Sequence, residues 1–386
     1  MKRKSLFHGI VFIINMVAIS LTSYAGEINQ HGTLRVLEKA TGNSFPIIDA
    51  QKRSTPIWVD ENDFKVVRIA AKLLSEDVER ITEVRPPVVN QENKLGSSGI
   101  VIGTIGKSEV IDRLIAEKKL NVDSIKDQWE AFTITSVDSK LVIAGADRRG
   151  TAFGVFTLTR KMGVSPLVWW SEVMPEPKEE LHVMAADYWE GSPSVKYRGM
   201  FINDECFGWK CLHDWARKHM DPEDGHIGPN TYEKMFELLL RLKANYIWPA
   251  MHGPSKWFYK NPRSPELADD YAIVVGSSHC EQMLRNNNTE WDKKTMGDWN
   301  YKTNRERIMQ YWDDRLKEAK NYENSYTLGL RGVHDWEMEG AKSVEEMVEI
   351  TQQTLEDQRN ILRKNLGDNI EDVSQILCTY KEVLVT

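Results

Sequence analysis

The chain has 386 residues, 28% of them charged, and a formal net charge of −7. That length leaves room for two domains with sizeable cores, and the acidic balance argues against nucleic acid as a partner. Its 13 tryptophans exceed ordinary usage; an exposed indole is a stacking surface for a sugar ring, and a buried one is ordinary core packing.

Lys2, Arg3 and Lys4 precede an apolar run over residues 10–21, and Ser23-Tyr24-Ala25 is a small-x-small cleavage site before Gly26. The pattern predicts a signal peptide over residues 1–25, hence export to the periplasm or the medium. The apolar run is short for a membrane span and no later segment qualifies, so no membrane partner is expected. In an exported protein Cys206 and Cys211 can pair, whereas Cys280 and Cys378, each near a strand end, read as buried free thiols. The sequence has no C-x-x-C and no metal-type spacing of His and Cys, so neither metal nor cofactor is expected.

Residues 26–190 read as an α/β domain. Residues 63–84 carry apolar side chains at helical spacing, and Pro86-Pro87 ends the run. Residues 99–103 and 141–145 are short apolar strands bounded by glycines, residues 132–135 alternate as a strand, and residues 149–162 form a helix. Gly103 and Gly106 lack the spacing and the lysine of a phosphate loop. Glu176-Pro177-Lys178-Glu179-Glu180 is a polar turn that begins the exit from this domain.

Residues 191–386 then alternate strand and helix. Strands are expected at 198–203, 245–249, 273–276, 326–330 and 376–380, with helices at 231–243, 267–271, 304–320 and 344–366. The fold class is therefore α/β: an N-terminal α/β domain followed by a truncated TIM barrel, with about five strands where a closed (β/α)8 barrel has eight. Residues 383–386 read as the start of a further helix. An incomplete barrel is expected to expose apolar strand edges and to be poorly soluble alone.

The strand ends carry the chemistry. Asp204-Glu205 follows the first strand, Trp248 to His252 the second, His279-Cys280-Glu281 the third, Arg331 to Asp335 the fourth and Tyr380 the fifth. Such clusters at C-terminal strand ends are where a β/α barrel builds a site. The mix of His, Asp, Glu, Arg and Trp suits a sugar acid better than a phosphate. Arg331 can clamp a carboxylate through two hydrogen bonds or form a rim salt bridge. Asp335, four residues on, can be a general base kept ionised by that arginine, or can merely orient Arg331 or His334. His252 and His279 can contact sugar hydroxyls or serve structure. Trp248 can stack on a ring or pack in the core. Asp204 can bind hydroxyls or hold a turn. Glu205 and Glu281 stand behind these, and Asn286-Asn287-Asn288 reads as a solvated loop.

Several long blocks resemble glycoside hydrolase family 115, the xylan α-glucuronidases. They are Arg149-Gly150-Thr151-Ala152-Phe153-Gly154-Val155-Phe156, Arg198-Gly199-Met200-Phe201-Ile202-Asn203-Asp204-Glu205, residues 238–252, 269–287 and 331–340, and Tyr380-Lys381-Glu382-Val383. The resemblance implies an α/β domain and a barrel followed by two further domains, so that this chain is a fragment. It implies release of α-1,2-linked (4-O-methyl)glucuronic acid from xylan with inversion. Inversion needs two carboxyl groups roughly 6.5–9.5 Å apart. The resemblance marks Glu382 as the general acid, leaves Asp335 as the candidate base, and makes glucuronoxylan the partner. A homodimer is one state open to the full-length protein. Two other readings stand beside it: a non-catalytic carbohydrate-binding barrel, and a substrate-assisted hexosaminidase-like glycosidase using Asp204-Glu205.

Overall fold

The structure, a computed structural model, describes residues 30–205 and 211–380. The signal peptide, Cys206, Glu382 and the helix start expected at 383–386 lie outside the described residues.

Eight strands form one mixed sheet: β1 (Gln30–Leu37), β2 (Phe45–Ile48), β3 (Ile57–Val59), β4 (Val88–Val89), β5 (Gly99–Thr104), β6 (Phe132–Val137), β7 (Lys140–Gly145) and β8 (Leu181–Glu190). Their order is β1-β8-β6-β7-β5-β3-β4, with β2 also on β8. Strands β3, β4, β5 and β7 are mutually parallel, while β6, β8 and β1 pair antiparallel. Every residue of β5 is buried, as expected of a parallel strand covered on both faces. Ile100 and Ile102 join the helices Lys65–Thr82 and Arg148–Lys161 in one apolar cluster. Val101 points the other way, to Val110, Ile111 and Leu114 of the helix Glu109–Ala116.

Local chemistry sets the helix ends. Asp147 accepts a hydrogen bond from Gly150 N (2.7 Å) and so caps the helix Arg148–Lys161. Glu83, in the left-handed region at φ 63°, closes the helix Lys65–Thr82. The polar turn at 176–180 does not leave this sheet; it leads into β8, whose ten residues pair with β1, β2 and β6.

Five further strands are parallel and follow chain order. They are β9 (Gly199–Phe201), β10 (Tyr246–Trp248), β11 (Val274–Val275), β12 (Ser325–Leu328) and β13 (Ser374–Leu377). Strands β9, β10 and β11 form one sheet and β12 and β13 another, and a parallel bridge between Val275 and Asn324 joins the two. The helices Pro229–Arg241, Arg263–Asp270, Tyr301–Ala319 and Val344–Leu366 each lie between successive strands. Strand alternation sends Ile247 fully into the core and leaves Tyr246 and Trp248 half-buried on the other side.

Buried charge seats this half on the first. Glu130, from the loop before β6, accepts from Arg198 (2.5 Å) and from Asn245 (2.5 Å). Arg148 and Arg149 both engage Glu323. Arg241 makes a two-point bond to Asp77 at 2.7 and 3.0 Å. One apolar cluster runs from Leu34 to Val275 across both halves, and a second surrounds Trp312. Among the described residues no helix is long and apolar enough to cross a membrane. Cys211 is disulfide-bonded, and Cys280 and Cys378 are free, the first buried and the second half-buried.

Candidate functional site

Three neighbouring strand ends bring four of the expected residues together. Arg331 Nη1 donates to Asp335 Oδ1 at 3.0 Å, and the same oxygen lies 3.2 Å from His279 Nε2. The Arg331 guanidinium lies over the Tyr380 ring, 5.3 Å from its centroid. The His279 and Tyr380 rings are 4.4 Å apart. Arg331 is 1% exposed, and its carbonyl accepts from Trp299 Nε1 (2.7 Å). A buried guanidinium cannot lose its proton, so it sets a fixed positive charge at this end of the strands.

A second group adjoins the first through His334. Its Nε2 lies 3.4 Å from His252 Nδ1, and His252 Nε2 lies 3.6 Å from Glu205 Oε1. Burial, then the neighbouring His252, lower the His334 pKa and favour its neutral ring. His334 also has φ 56°, a backbone state that costs a non-glycine residue on the order of 1–3 kcal/mol and clusters at functional sites. Sequence reading named His334 only as something Asp335 orients, because a positive φ leaves no mark in composition.

Asp204 holds a turn. It accepts from Met251 N (3.3 Å), His252 N (3.4 Å) and the Ser255 hydroxyl, and it is buried. It thereby fixes the backbone that presents His252. Trp248 donates its indole N–H to Tyr246 Oη (2.8 Å) and meets Phe201 edge-on. It stands on the same side of the sheet as Tyr246, away from the helices.

Glu281 is buried and accepts from Ser278 N (3.5 Å) and Ser278 Oγ (3.2 Å). Burial pushes its pKa up to about 8, so the carboxyl is largely neutral at pH 7. Ser277 Oγ donates to Glu281 O (2.6 Å) and Gln282 Nε2 to His279 O (2.7 Å), closing the loop with His279 at its apex. The solvated reading of the asparagine run fails at two positions. Asn286 and Asn287 are 3% and 2% exposed. Asn286 Nδ2 donates to Met251 O (2.7 Å), and Asn287 Oδ1 accepts from His334 N (3.2 Å). The polarity that suggested solvent serves backbone groups of neighbouring strand-end loops instead.

The mixed α/β fold gathers arginine, histidine, carboxylate and tyrosine at one end of its parallel strands, and its class is given by the family it matches. The model of Glycosyl hydrolase family 115 matches residues 190–386. The chain belongs to glycosyl hydrolase family 115. It is similar to a solved family GH115 4-O-methyl-α-glucuronidase with specificity for decorated arabinogalactans: 38% identity over 91% of this chain, with a TM-score of 0.77. That match covers 43% of the relative, so the chain spans less than half its length. A chitobiase from Flavobacterium johnsoniae is similar in fold alone, at 11% identity and a TM-score of 0.51, covering 90% of this chain and 54% of its own. No curated protein matches the sequence.

Proposed function

We propose that this chain carries the catalytic end of an exported α-glucuronidase. It removes α-1,2-linked glucuronic acid, or its 4-O-methyl ether, from a polysaccharide with inversion. The observation that carries the reading is the convergence of Arg331, Asp335, His279 and Tyr380 from three strand ends. In this reading the buried guanidinium of Arg331 holds Asp335 and lends the site the positive charge that favours a uronate carboxylate, and His279 and His252 hold ring hydroxyls. Asp335 takes a proton from the attacking water while Glu382 protonates the leaving oxygen. The role of Glu382 rests on the family resemblance.

The five parallel strands are read as part of an eight-stranded barrel over residues 191–386, following an α/β domain at 26–190. Their chain order and common direction support this. The relative's specificity for decorated arabinogalactans makes that polymer a second substrate beside glucuronoxylan.

The test is glucuronic acid release from both polymers, by this chain and by a version extended through further barrel strands. Release by the extended version, lost in Glu382→Gln, supports the reading. Binding of the polymers without release favours a non-catalytic carbohydrate-binding barrel. Release with retention at the anomeric carbon favours the substrate-assisted glycosidase.

A further inference from the structure

The loop after β12 turns back on itself at residues 333–336. Trp336 N donates to Val333 O (3.3 Å), and Gly332 N donates to Trp336 O (3.2 Å). His334 takes the first central position of this turn with φ 56°. Positive φ at that position is favoured by glycine, asparagine and aspartate, because a Cβ there crowds the backbone. The turn is held from outside: His252 meets the ring (3.4 Å), and the His334 backbone N–H donates to Asn287 Oδ1 (3.2 Å).

The segment that carries Asn287 is anchored around it, although the amide Nδ2 of Asn287 is buried with no partner among the described residues. It opens the short helix Asn287–Glu290, whose cap Asn286 accepts from Thr289 N (3.2 Å). Asn286 also donates its side-chain amide to Met251 O (2.7 Å), and its backbone N–H to Glu290 Oε1 (2.8 Å). Glu290 is in turn paired with Arg285 (2.7 Å) and Arg315. The bond from Asn287 to His334 therefore joins a rigid segment after β11 to the strained turn after β12. The next residue in that turn is Asp335, whose carboxylate meets Arg331 and His279.

We infer that Asn287 is a positioning residue for Asp335: it holds His334 in the left-handed region and so aims the following carboxylate at Arg331 and His279. Its catalytic consequence rests on Asp335 being the base, as proposed above. The positioning itself is tested without activity. Glycine adopts a positive φ unaided, so replacing His334 by glycine removes the need for the asparagine.

The experiment labels the histidines of the full chain with 15N and follows the ring resonances of His279, assigned by His279→Gln. Asp335→Asn displaces them and gives the reference shift. Asn287→Ala displaces them in the same direction. In a His334→Gly background, Asn287→Ala produces less than about a third of the shift it gives in the parent. Asn287→Ser, with its shorter reach, repeats the comparison should the alanine variant fold poorly. No displacement in a folded Asn287→Ala or Asn287→Ser chain overturns the inference, as does an equal displacement in both backgrounds. In an extended, active protein the same substitution lowers kcat about ten-fold with KM within about two-fold. Absence of any parent activity defeats the functional reading and leaves the spectroscopic result standing.

Discussion

Arg331 and Asp335 sit 3.0 Å apart but on opposite sides of the solvent boundary: the side chain of Arg331 is 1% exposed and that of Asp335 is 41% exposed. The cation is fixed in the wall and the anion faces outward. A general base must meet water and then release a proton, and the exposed member of the pair is the one able to do both.

Asp335→Asn keeps the shape and an acceptor for Arg331 while removing the base. Glucuronic acid release by the extended protein should fall by about 10²–10⁴. The stability of the folded chain should change by no more than about 1 kcal/mol, because the carboxylate is partly solvated. Initial rates and urea midpoints check the two arms. A variant that keeps its rate makes Asp335 only the partner that orients Arg331.

Glu281 should make stability depend on pH. Its folded pKa is about 8 against an ordinary 4.5, so between these values the folded state holds a proton that the unfolded chain has released. Stability therefore falls as pH rises from about 4.5 towards about 8, then levels off. At roughly 1.4 kcal/mol per pH unit the full effect is on the order of 5 kcal/mol. Glu281→Gln should flatten this component, seen as a shallower decline of the urea midpoint with pH than in the parent. Equal slopes in both proteins would show that Glu281 does not titrate in that window.

The pair Asp77 and Arg241 joins two helices that come from different sheets, and neither side chain is more than 3% exposed. Asp77→Ala leaves the guanidinium buried with Glu237 (2.9 Å) as its carboxylate partner among the described residues. The expected loss is about 3–5 kcal/mol in chemical denaturation. Adding Arg241→Met should return a large part of it, since the stranded charge is then gone. A double variant as unstable as the single one would place the cost in packing.

Gly332 is where the loop after β12 is tightest. A Cβ there would lie 2.2 Å from Glu337 O and 2.6 Å from Trp336 O, both backbone atoms that cannot swing aside. Gly332→Ala should cost about 1–3 kcal/mol and lower kcat more than it raises KM, because the turn that carries Asp335 must shift. Steady-state kinetics on the extended protein decide this, and unchanged kcat would mean that the turn tolerates the displacement.

The elements legible in the sequence are those where period and punctuation agree. The helix Val344–Leu366 has the bounds expected from its sequence period, and the structure shows why: Ser343 caps it, accepting from Glu346 N (3.3 Å), and Gly367 stops it. All five parallel strands after residue 198 were read, each to within a few residues, from short apolar runs ending in polar clusters. Strands β1 and β8 were not. Residues such as Gln30, His31, Asp187 and Glu190 interrupt their alternation, and their identity as strands comes from pairing with each other. At the site, Arg331, Asp335, His279 and Tyr380 were legible as strand-end residues and the structure brings them together. The turn-holding role of Asp204 was one of its two expected roles; what stayed hidden was other backbone work, the buried asparagines and the left-handed His334. These depend on φ and on donors from distant loops, which no local pattern encodes.

The bond from Glu130 to Arg198 has a consequence for how such a chain can be cut and rejoined. The natural place to recombine it with a relative is the short stretch between the end of β8 at Glu190 and the start of β9 at Gly199. A crossover there would inherit the carboxylate from one parent and the arginine and Asn245 from the other. A chimera would keep both halves yet bury an unmatched charge at their seam unless both parents carry the same three residues. Viable exchanges should respect that trio, so the unit that is inherited together is larger than either half.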